Sequence, residues 1–141
     1  MKKSSFLLLC LCVFYSCSKE NIKEANDFPQ KWQLFEMTGQ IPNSVTTGIN
    51  MDRQEYYILK SNNTFVKHRE KDGKTFEVKG VFVIKDGSDG KYIELTYDSK
   101  NDLIGNCDSS IKEYLSFKSD SEIYNTWSAC DGPGLKYKKA N

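Results

Sequence analysis

The sequence predicts an all-β domain built as an eight-stranded, up-and-down antiparallel barrel. Apolar residues alternate with polar ones at a spacing of two, and short polar turns rich in Asp, Asn and Gly separate these runs. No segment after Lys31 shows the apolar spacing of about 3.6 residues that marks a long helix. The predicted strands are Trp32–Thr38, Tyr56–Lys60, Phe65–Glu70, Thr75–Ile84, Lys91–Tyr97, Ile111–Phe117, Glu122–Cys130 and Leu135–Lys139.

The alternation is clearest in the fifth predicted strand, where Ile93, Leu95 and Tyr97 occupy every second position. Successive side chains of a strand point to opposite faces, so this spacing predicts a strand with one face on a core. The same spacing within Glu122–Cys130 places Asn125 on the apolar face, as its polar exception.

The connections between strands are mostly tight turns. Asp72-Gly73 and Asp89-Gly90 supply residues that readily adopt the positive φ angles of short hairpins. Strands joined in this way form a meander, and a meander of eight strands removes its exposed edges by closing into a barrel. A two-sheet sandwich is the main alternative, but it needs longer crossings than most of these turns allow.

Length and composition limit the possible classes. The chain has 141 residues, the size of one ordinary domain. Its 20 Lys and Arg against 19 Asp and Glu leave a formal net charge of +1, which argues against a nucleic-acid-binding protein. No nucleic-acid partner is therefore expected.

The N-terminal residues predict a secretory signal followed by a lipidation site. Lys2 and Lys3 precede a run of about ten apolar residues, which is shorter than the roughly 20 that span a bilayer. Ser16-Cys17 then resembles the lipobox of bacterial lipoproteins, in which the Cys thiol takes a diacylglycerol and the chain is cut just before it. An ordinary signal peptide cut near Ser16 is the alternative.

This interpretation divides the chain into a signal peptide over residues 1–16, a lipidated Cys17 with a flexible polar tether over 17–27, and the barrel over 28–141. Ser18 stands where an Asp would, by resemblance to enterobacterial sorting, hold the protein at the inner membrane. We therefore expect a lipid-anchored protein of the outer membrane, displayed on its periplasmic face or at the cell surface. The membrane is then a partner only through Cys17.

The remaining cysteines predict a disulfide. Cys10 and Cys12 leave with the signal and Cys17 carries lipid, so Cys107 and Cys130 remain as one pair in an oxidising compartment. A metal site is the alternative, but two Cys and one distant His make a poor ligand set. No metal and no cofactor are expected.

Several segments between Gln30 and Lys139 carry a family resemblance. They are Lys31-Trp32, Tyr56-Tyr57, Gly80, Asp89-Gly90-Lys91-Tyr92, Leu103-Ile104-Gly105-Asn106-Cys107 and Trp127-Ser128-Ala129-Cys130-Asp131-Gly132-Pro133-Gly134. With these residues the chain resembles the small lipocalin-like lipoproteins of Bacteroidota, and the last two segments are the most specific. The resemblance implies a calycin-like barrel and no particular ligand.

Little in the sequence points to catalysis. His68 is the only histidine, and it lies in Lys67-His68-Arg69-Glu70-Lys71-Asp72, a pattern that predicts a solvated hairpin. We expect His68 on the surface or rim of the barrel. The carboxylates are scattered, and no spacing selects an acid–base pair. The expected protein is not an enzyme.

The aromatic residues are the best candidates for function. Their number is sufficient to fill a small barrel, and they include Trp32, Phe35, Phe65, Phe76, Phe82, Tyr97, Phe117, Trp127 and Tyr137. The leading expectation is an open barrel mouth that binds a small hydrophobic ligand behind one of the long loops, Gly39–Gln54 or Asp98–Ser110. Its candidate ligand-binding residues are Trp32, Met51, Tyr56 and Trp127. The alternative is a protein-interaction or inhibitor module of the cell envelope, with a filled barrel.

Overall fold

The computed structural model describes residues 27–140, which form one antiparallel sheet closed into a barrel. The strands follow one another around the sheet, and β1 pairs with β9 to close it. The two-residue β2 pairs with β1 beyond the part that pairs with β3, so the closed barrel has eight strands. The strands are β1 (Gln30–Thr38), β2 (Thr46–Thr47), β3 (Gln54–Leu59), β4 (Thr64–Lys71), β5 (Lys74–Gly87), β6 (Gly90–Tyr97), β7 (Lys112–Ser119), β8 (Glu122–Asn125) and β9 (Gly134–Ala140).

The predicted fold class is confirmed: the domain is an up-and-down, lipocalin-like barrel. The expected signal peptide, Cys17 and the tether up to residue 26 lie outside the described residues. Within residues 27–140, no helix is long and apolar enough to cross a membrane.

The two ends of the barrel differ in their connections. One end, the turn end, holds the short turns after β3, β5 and β7 together with the first residue of β1 and the last of β9. The opposite end, the loop end, holds the β4–β5 hairpin turn and the long connections 39–53, 98–111 and 126–133. The chain therefore enters the barrel at the end opposite its long loops.

The β4–β5 hairpin has the predicted tight turn. Asp72 and Gly73 both have positive φ angles, 51° and 70°, and they join Lys71 directly to its partner Lys74. Positive φ at both central residues is the geometry that matches the twist of the flanking strands. The Asp-Gly sequence thus sets the register of the hairpin.

The seventh predicted strand is shorter than expected. β8 ends at Asn125, and Trp127–Cys130 forms a 3₁₀ helix where the alternation predicted strand. The Asn125 side chain accepts a hydrogen bond from the Leu135 backbone N–H (2.9 Å) and donates one to the Pro133 carbonyl (3.1 Å). The apparent polar exception is buried because it closes the connection to β9.

The inside of the barrel near the turn end is packed with aromatic side chains. Trp32 is buried and meets Phe117 edge-on, with 5.9 Å between ring centroids. Phe28 packs on Phe82, and Phe65 meets Tyr97 edge-on at 4.9 Å. Three of the aromatic residues expected inside lie elsewhere. Phe35 is half-buried beneath the Lys138 ammonium, Phe76 is exposed at the loop end, and Trp127 lies in the 3₁₀ helix after β8.

Candidate functional site

A cluster of ionised side chains fills the interior towards the loop end. We call it the charge network: its members are Glu55, Lys67, Arg69 and Glu113, with the hydroxyls of Tyr57, Tyr97 and Tyr137. They come from β3, β4, β6, β7 and β9, so the network joins strands from all round the barrel. Glu55, Lys67 and Glu113 have no exposed surface.

Lys67 is the centre of the charge network. Its Nζ lies 3.1 Å from Oε2 of Glu113, 3.4 Å from Oε1 of Glu55 and 2.6 Å from the carbonyl oxygen of Leu103. An ammonium has three protons to donate, and the acceptors are the Leu103 carbonyl and both carboxylate oxygens of Glu113, while Glu55 is an ion-pair partner. Lys67 therefore cross-links two strands and the β6–β7 loop from inside the barrel.

Glu55 is held in its ionised form. Burial alone would raise the pKa of its carboxyl, but the Lys67 ammonium, the Arg69 guanidinium, the Tyr137 hydroxyl and Arg53 together outweigh burial and lower the pKa. Arg69 Nε lies 2.5 Å from Oε2, and the Tyr137 hydroxyl donates to Oε1 at 2.5 Å. A buried charge with this many partners is stable inside the barrel.

The three tyrosine hydroxyls satisfy the carboxylates. Tyr57 donates to Oε1 of Glu113 at 3.1 Å, and Tyr97 donates to Oε2 of the same residue. Burial, reinforced by the negative charges of Glu113 and Glu55, raises the pKa of Tyr57, Tyr97 and Tyr137 well above 10. They remain neutral donors over the physiological range.

Arg53 borders the network with an incomplete set of partners. Its Nη1 contacts Asp52 at 3.2 Å, and its Nε lies 3.5 Å from Oε2 of Glu55. Among the described residues, its buried Nε and Nη2 have no hydrogen-bond partner. Asp52 is half-exposed and also pairs with Lys71 at 3.2 Å, so the ion pairs of the network continue to the surface at the loop end.

Two loop segments close the barrel above the charge network. We call them the loop cap: residues 103–107 of the β6–β7 connection and 127–132 of the β8–β9 connection. The Cys107–Cys130 disulfide, predicted from the sequence and confirmed here, joins them. A Cβ at Gly132 would lie 2.4 Å from the Trp127 ring, and one at Gly105 would lie 2.9 Å from it. Only glycines let both backbones pack against this indole.

The loop cap explains why the two most specific segments of the family resemblance lie so far apart in the chain. They meet in space and bind the interior through the Leu103 carbonyl, which accepts from Lys67 and, at 3.3 Å, from Arg69. The resemblance itself stays a prediction.

The charge network was not predicted from the sequence. The prediction that Lys67 and Arg69 belong to a solvated hairpin is wrong, because both side chains point into the barrel. They share strand parity with Phe65, a core residue, just as Glu55 does with Tyr57. Charged residues at the same alternate positions as core residues are the sequence pattern that could have predicted a charged interior. His68 has the opposite parity and lies on the outer face, stacked on Tyr56 at 4.6 Å.

The four expected ligand-binding residues do not form one pocket. Trp32 is buried inside the barrel, where its indole N–H donates to the Gln30 side chain at 3.2 Å. Met51 is buried in the core, and Tyr56 lies on the outer face beneath the Lys31 ammonium. Trp127 is half-buried in the loop cap. Trp32 and Met51 therefore belong to the packed interior, whereas Tyr56 and Trp127 lie at two separate places outside it.

Two surface depressions are better candidates for binding. The tyrosine groove, of about 550 Å³, crosses the outer face of β6, β7 and β8, and Tyr92, Tyr114, Ser116 and Tyr124 line it. The mouth groove, of about 740 Å³, lies at the loop end between the β4–β5 hairpin and residues 100–103. Both volumes fall in the range of roughly 300–1,000 Å³ typical of ligand sites.

Within residues 27–140, no group of three or more His, Cys, Asp or Glu side chains is arranged to hold a metal ion. The fold and the site define the chain as a lipocalin-like barrel with a charged interior. No family model, no curated protein and no solved structure matches the chain.

Proposed function

We propose that this protein is a lipid-anchored recognition module of the bacterial cell envelope, whose barrel is a solid scaffold and whose outer surface binds a partner. The observation that carries the proposal is the charge network: Lys67 contacts both Glu55 and Glu113 across the interior, and none of the three has exposed surface. Removing Lys67 leaves the buried Glu113 carboxylate without a cation, at a cost of about 3–5 kcal/mol. The interior side chains therefore stabilise the fold.

A hydrophobic ligand inside the barrel is the less favoured function. Such a ligand would have to displace aromatic side chains that already pack on one another, such as Trp32 on Phe117 and Tyr57 on Tyr137. It would also lie close to the ionised groups, which an apolar molecule cannot pair. Binding in a surface depression requires neither displacement of core side chains nor contact with the buried charges.

The orientation of the barrel supports recognition at its loop end. The proposed anchor, Cys17, precedes Gln30 by only a short tether, and Gln30 lies at the turn end. An anchor attached there leaves the loop end on the side of the barrel away from the attachment point. The exposed apolar side chains Ile41, Val45 and Ile49 all lie in the long 39–53 connection at this loop end.

Cell fractionation tests the anchor. We expect the wild-type chain in the outer-membrane fraction and the Cys17→Ser chain in the soluble envelope fraction. The Cys107→Ser, Cys130→Ser double variant is the control, because it loses two cysteines and their disulfide but keeps Cys17 and should stay in the membrane. Equal membrane retention of wild type and Cys17→Ser would refute lipidation at this residue.

Native mass spectrometry tests the solid barrel. The Cys17→Ser chain, which keeps every described residue, is offered mixed fatty acids and phospholipids, and we expect the mass of the protein alone. A one-to-one adduct that organic extraction removes would overturn the proposal and restore the hydrophobic-ligand function.

A further inference from the structure

We propose that the tyrosine groove binds an uncharged saccharide, whose sugar rings lie against the tyrosine rings and whose hydroxyls pair with the hydroxyls of the groove. The inference rests on the proposed function, in which the outer surface binds a partner, and it names the site and the chemical class of the ligand.

The centre of the groove is a row of side chains across three strands. Ser116 on β7 stands opposite both Tyr92 on β6 and Tyr124 on β8. Because the middle side chain is small and its two neighbours are large, the row forms a notch with a ring on each side. Tyr114 lies two residues before Ser116 on the same face, and its ring centroid is 6.2 Å from that of Tyr92, with the planes tilted by 56°. The notch therefore has aromatic side chains on three sides.

The groove is formed before any ligand binds. It runs from residues 87–90 of the β5–β6 turn to residues 126–129 after β8. The Tyr92 ring packs on the backbone of the turn, since a Cβ at Gly87 would lie only 3.1 Å from the Cε1 atom of this ring. A ring held in this way loses little freedom when a ligand stacks on it, which favours binding.

Hydroxyl groups dominate the lining. Seven of the twelve residues that line the groove are Ser, Thr or Tyr. The hydroxyls of Tyr92, Tyr114, Tyr124 and Ser116 make no hydrogen bond to another residue of the described range, whereas the three tyrosines of the charge network all donate to carboxylates. A hydroxyl both donates and accepts, so these groups suit a ligand that carries hydroxyls of its own. An apolar ligand would cover them without giving them a partner.

The charges at the groove favour an uncharged ligand. Among the described residues, Asp89 is the only charged one that lines it. The neighbouring ammoniums of Lys85 and Lys112 both pair with Glu94, at 2.7 and 2.8 Å, so neither is free to bind an anion. They also lie beside the tyrosine rings, where they would repel a cation.

A pyranose ring meets all these conditions. It is uncharged, its C–H groups give it an apolar face that can stack on an aromatic ring, and hydroxyls surround its rim. The carboxylate of Asp89 at one end of the groove can accept hydrogen bonds from two of those hydroxyls. The volume of about 550 Å³ lies within the range of small-molecule sites.

A glycan array tests the proposal. The wild-type protein, purified in a polyoxyethylene detergent that contains no sugar, is applied to neutral oligosaccharides built from hexoses and pentoses. Polygalacturonate and immobilised choline are the anionic and cationic probes. We expect saturable binding to a neutral oligosaccharide and none to the two charged probes. Isothermal titration calorimetry then measures the affinity for the oligosaccharide that binds best.

Three substitutions place the ligand on the molecule. Tyr124→Ala removes one wall of the notch and should weaken binding about tenfold, as expected when an aromatic stacking partner is lost. Ser116→Phe fills the notch without removing a ring and should abolish binding. Phe76→Ala is the matched control, because Phe76 is 43% exposed against 41% for Tyr124 but lines the mouth groove. Its affinity should equal that of the wild type, and circular dichroism checks that all three variants fold.

Several results would overturn the proposal. They are binding to no neutral oligosaccharide, binding to choline or polygalacturonate instead, and a loss of affinity in Phe76→Ala as large as in Tyr124→Ala. Full affinity in a folded Ser116→Phe variant would also place the ligand elsewhere. None of these results bears on membrane anchoring or on lipid binding by the barrel, which have their own tests above.

Discussion

The Lys67 ammonium lies 3.1 Å from a carboxylate oxygen of Glu113, and neither side chain is exposed to solvent. The two residues stand on β4 and β7, which are not neighbours in the sheet, so their contact crosses the barrel. The same ammonium binds the carbonyl of Leu103 in the loop cap. The Lys67 ammonium therefore binds two opposite strands of the barrel to each other and to the loop cap.

Replacing Lys67 should strongly destabilise the barrel. Lys67→Met keeps the shape of the side chain but leaves Glu55 and Glu113 buried without their shared cation, so we expect the free energy of unfolding to fall by about 3–5 kcal/mol. Lys85→Met is the matched control, because Lys85 pairs with Glu94 at 2.7 Å on the surface. Its effect should be much smaller, because water screens an exposed ion pair. Urea unfolding measures both, and equal effects would contradict the role given to Lys67.

The stability of the barrel should fall in acid. The pKa of Glu55 is lower in the folded barrel than its ordinary value of 4.5, so the folded state binds its proton less readily than the unfolded chain does. The contribution of this carboxylate is fully present above pH 4.5 and is lost as the pH falls through the folded pKa. Unfolding curves at a series of pH values measure the loss, and the carboxyl carbon shift of Glu55 in NMR spectra assigns it. A Glu55 carboxyl that titrates at or above 4.5 would contradict this prediction.

Loss of the disulfide should destabilise the domain and loosen the loop cap. Cys107 and Cys130 are 23 residues apart, and closing a loop of this length contributes about 3 kcal/mol on the chain-entropy model. We expect the Cys107→Ser, Cys130→Ser double variant to lose about that amount, and wild type under reducing conditions to behave in the same way. Hydrogen exchange should become faster at residues 103–107 than in β3. Unchanged exchange in the cap would show that the glycine–Trp127 contacts suffice to hold it.

Gly80 should not tolerate a side chain. A Cβ at this position would lie 2.0 Å from the Thr96 carbonyl oxygen and 2.8 Å from the Tyr97 Cα, and neither backbone atom can move without opening the β5–β6 pair. Gly80→Ala should therefore cost at least about 3 kcal/mol, the upper end of ordinary overpacking. The control is Val81→Ala at the next position, which is 52% exposed and should change stability by less than about 1 kcal/mol. Thermal unfolding compares the two.

Local patterns in the sequence were enough to predict the barrel. A period of two reports which side chains share a face of a strand, and Asp-Gly pairs report where the chain can turn sharply, so the order of strands and the Asp72-Gly73 hairpin followed from neighbouring residues alone. The disulfide followed from counting cysteines. The strand order and the hairpin depend on the chain near each residue, and the disulfide depends on the number of cysteines.

The charge network, the loop cap and the tyrosine groove were decided by tertiary structure. Alternation showed that Lys67 shares a face with Phe65, but whether a cation can lie inside depends on Glu113, which is 46 residues away in the chain. In the same way, Trp127 left the predicted strand because glycines on two separate loops accommodate its ring. A buried charge is stable only when its partners are in place, and closure of the barrel is what brings them together.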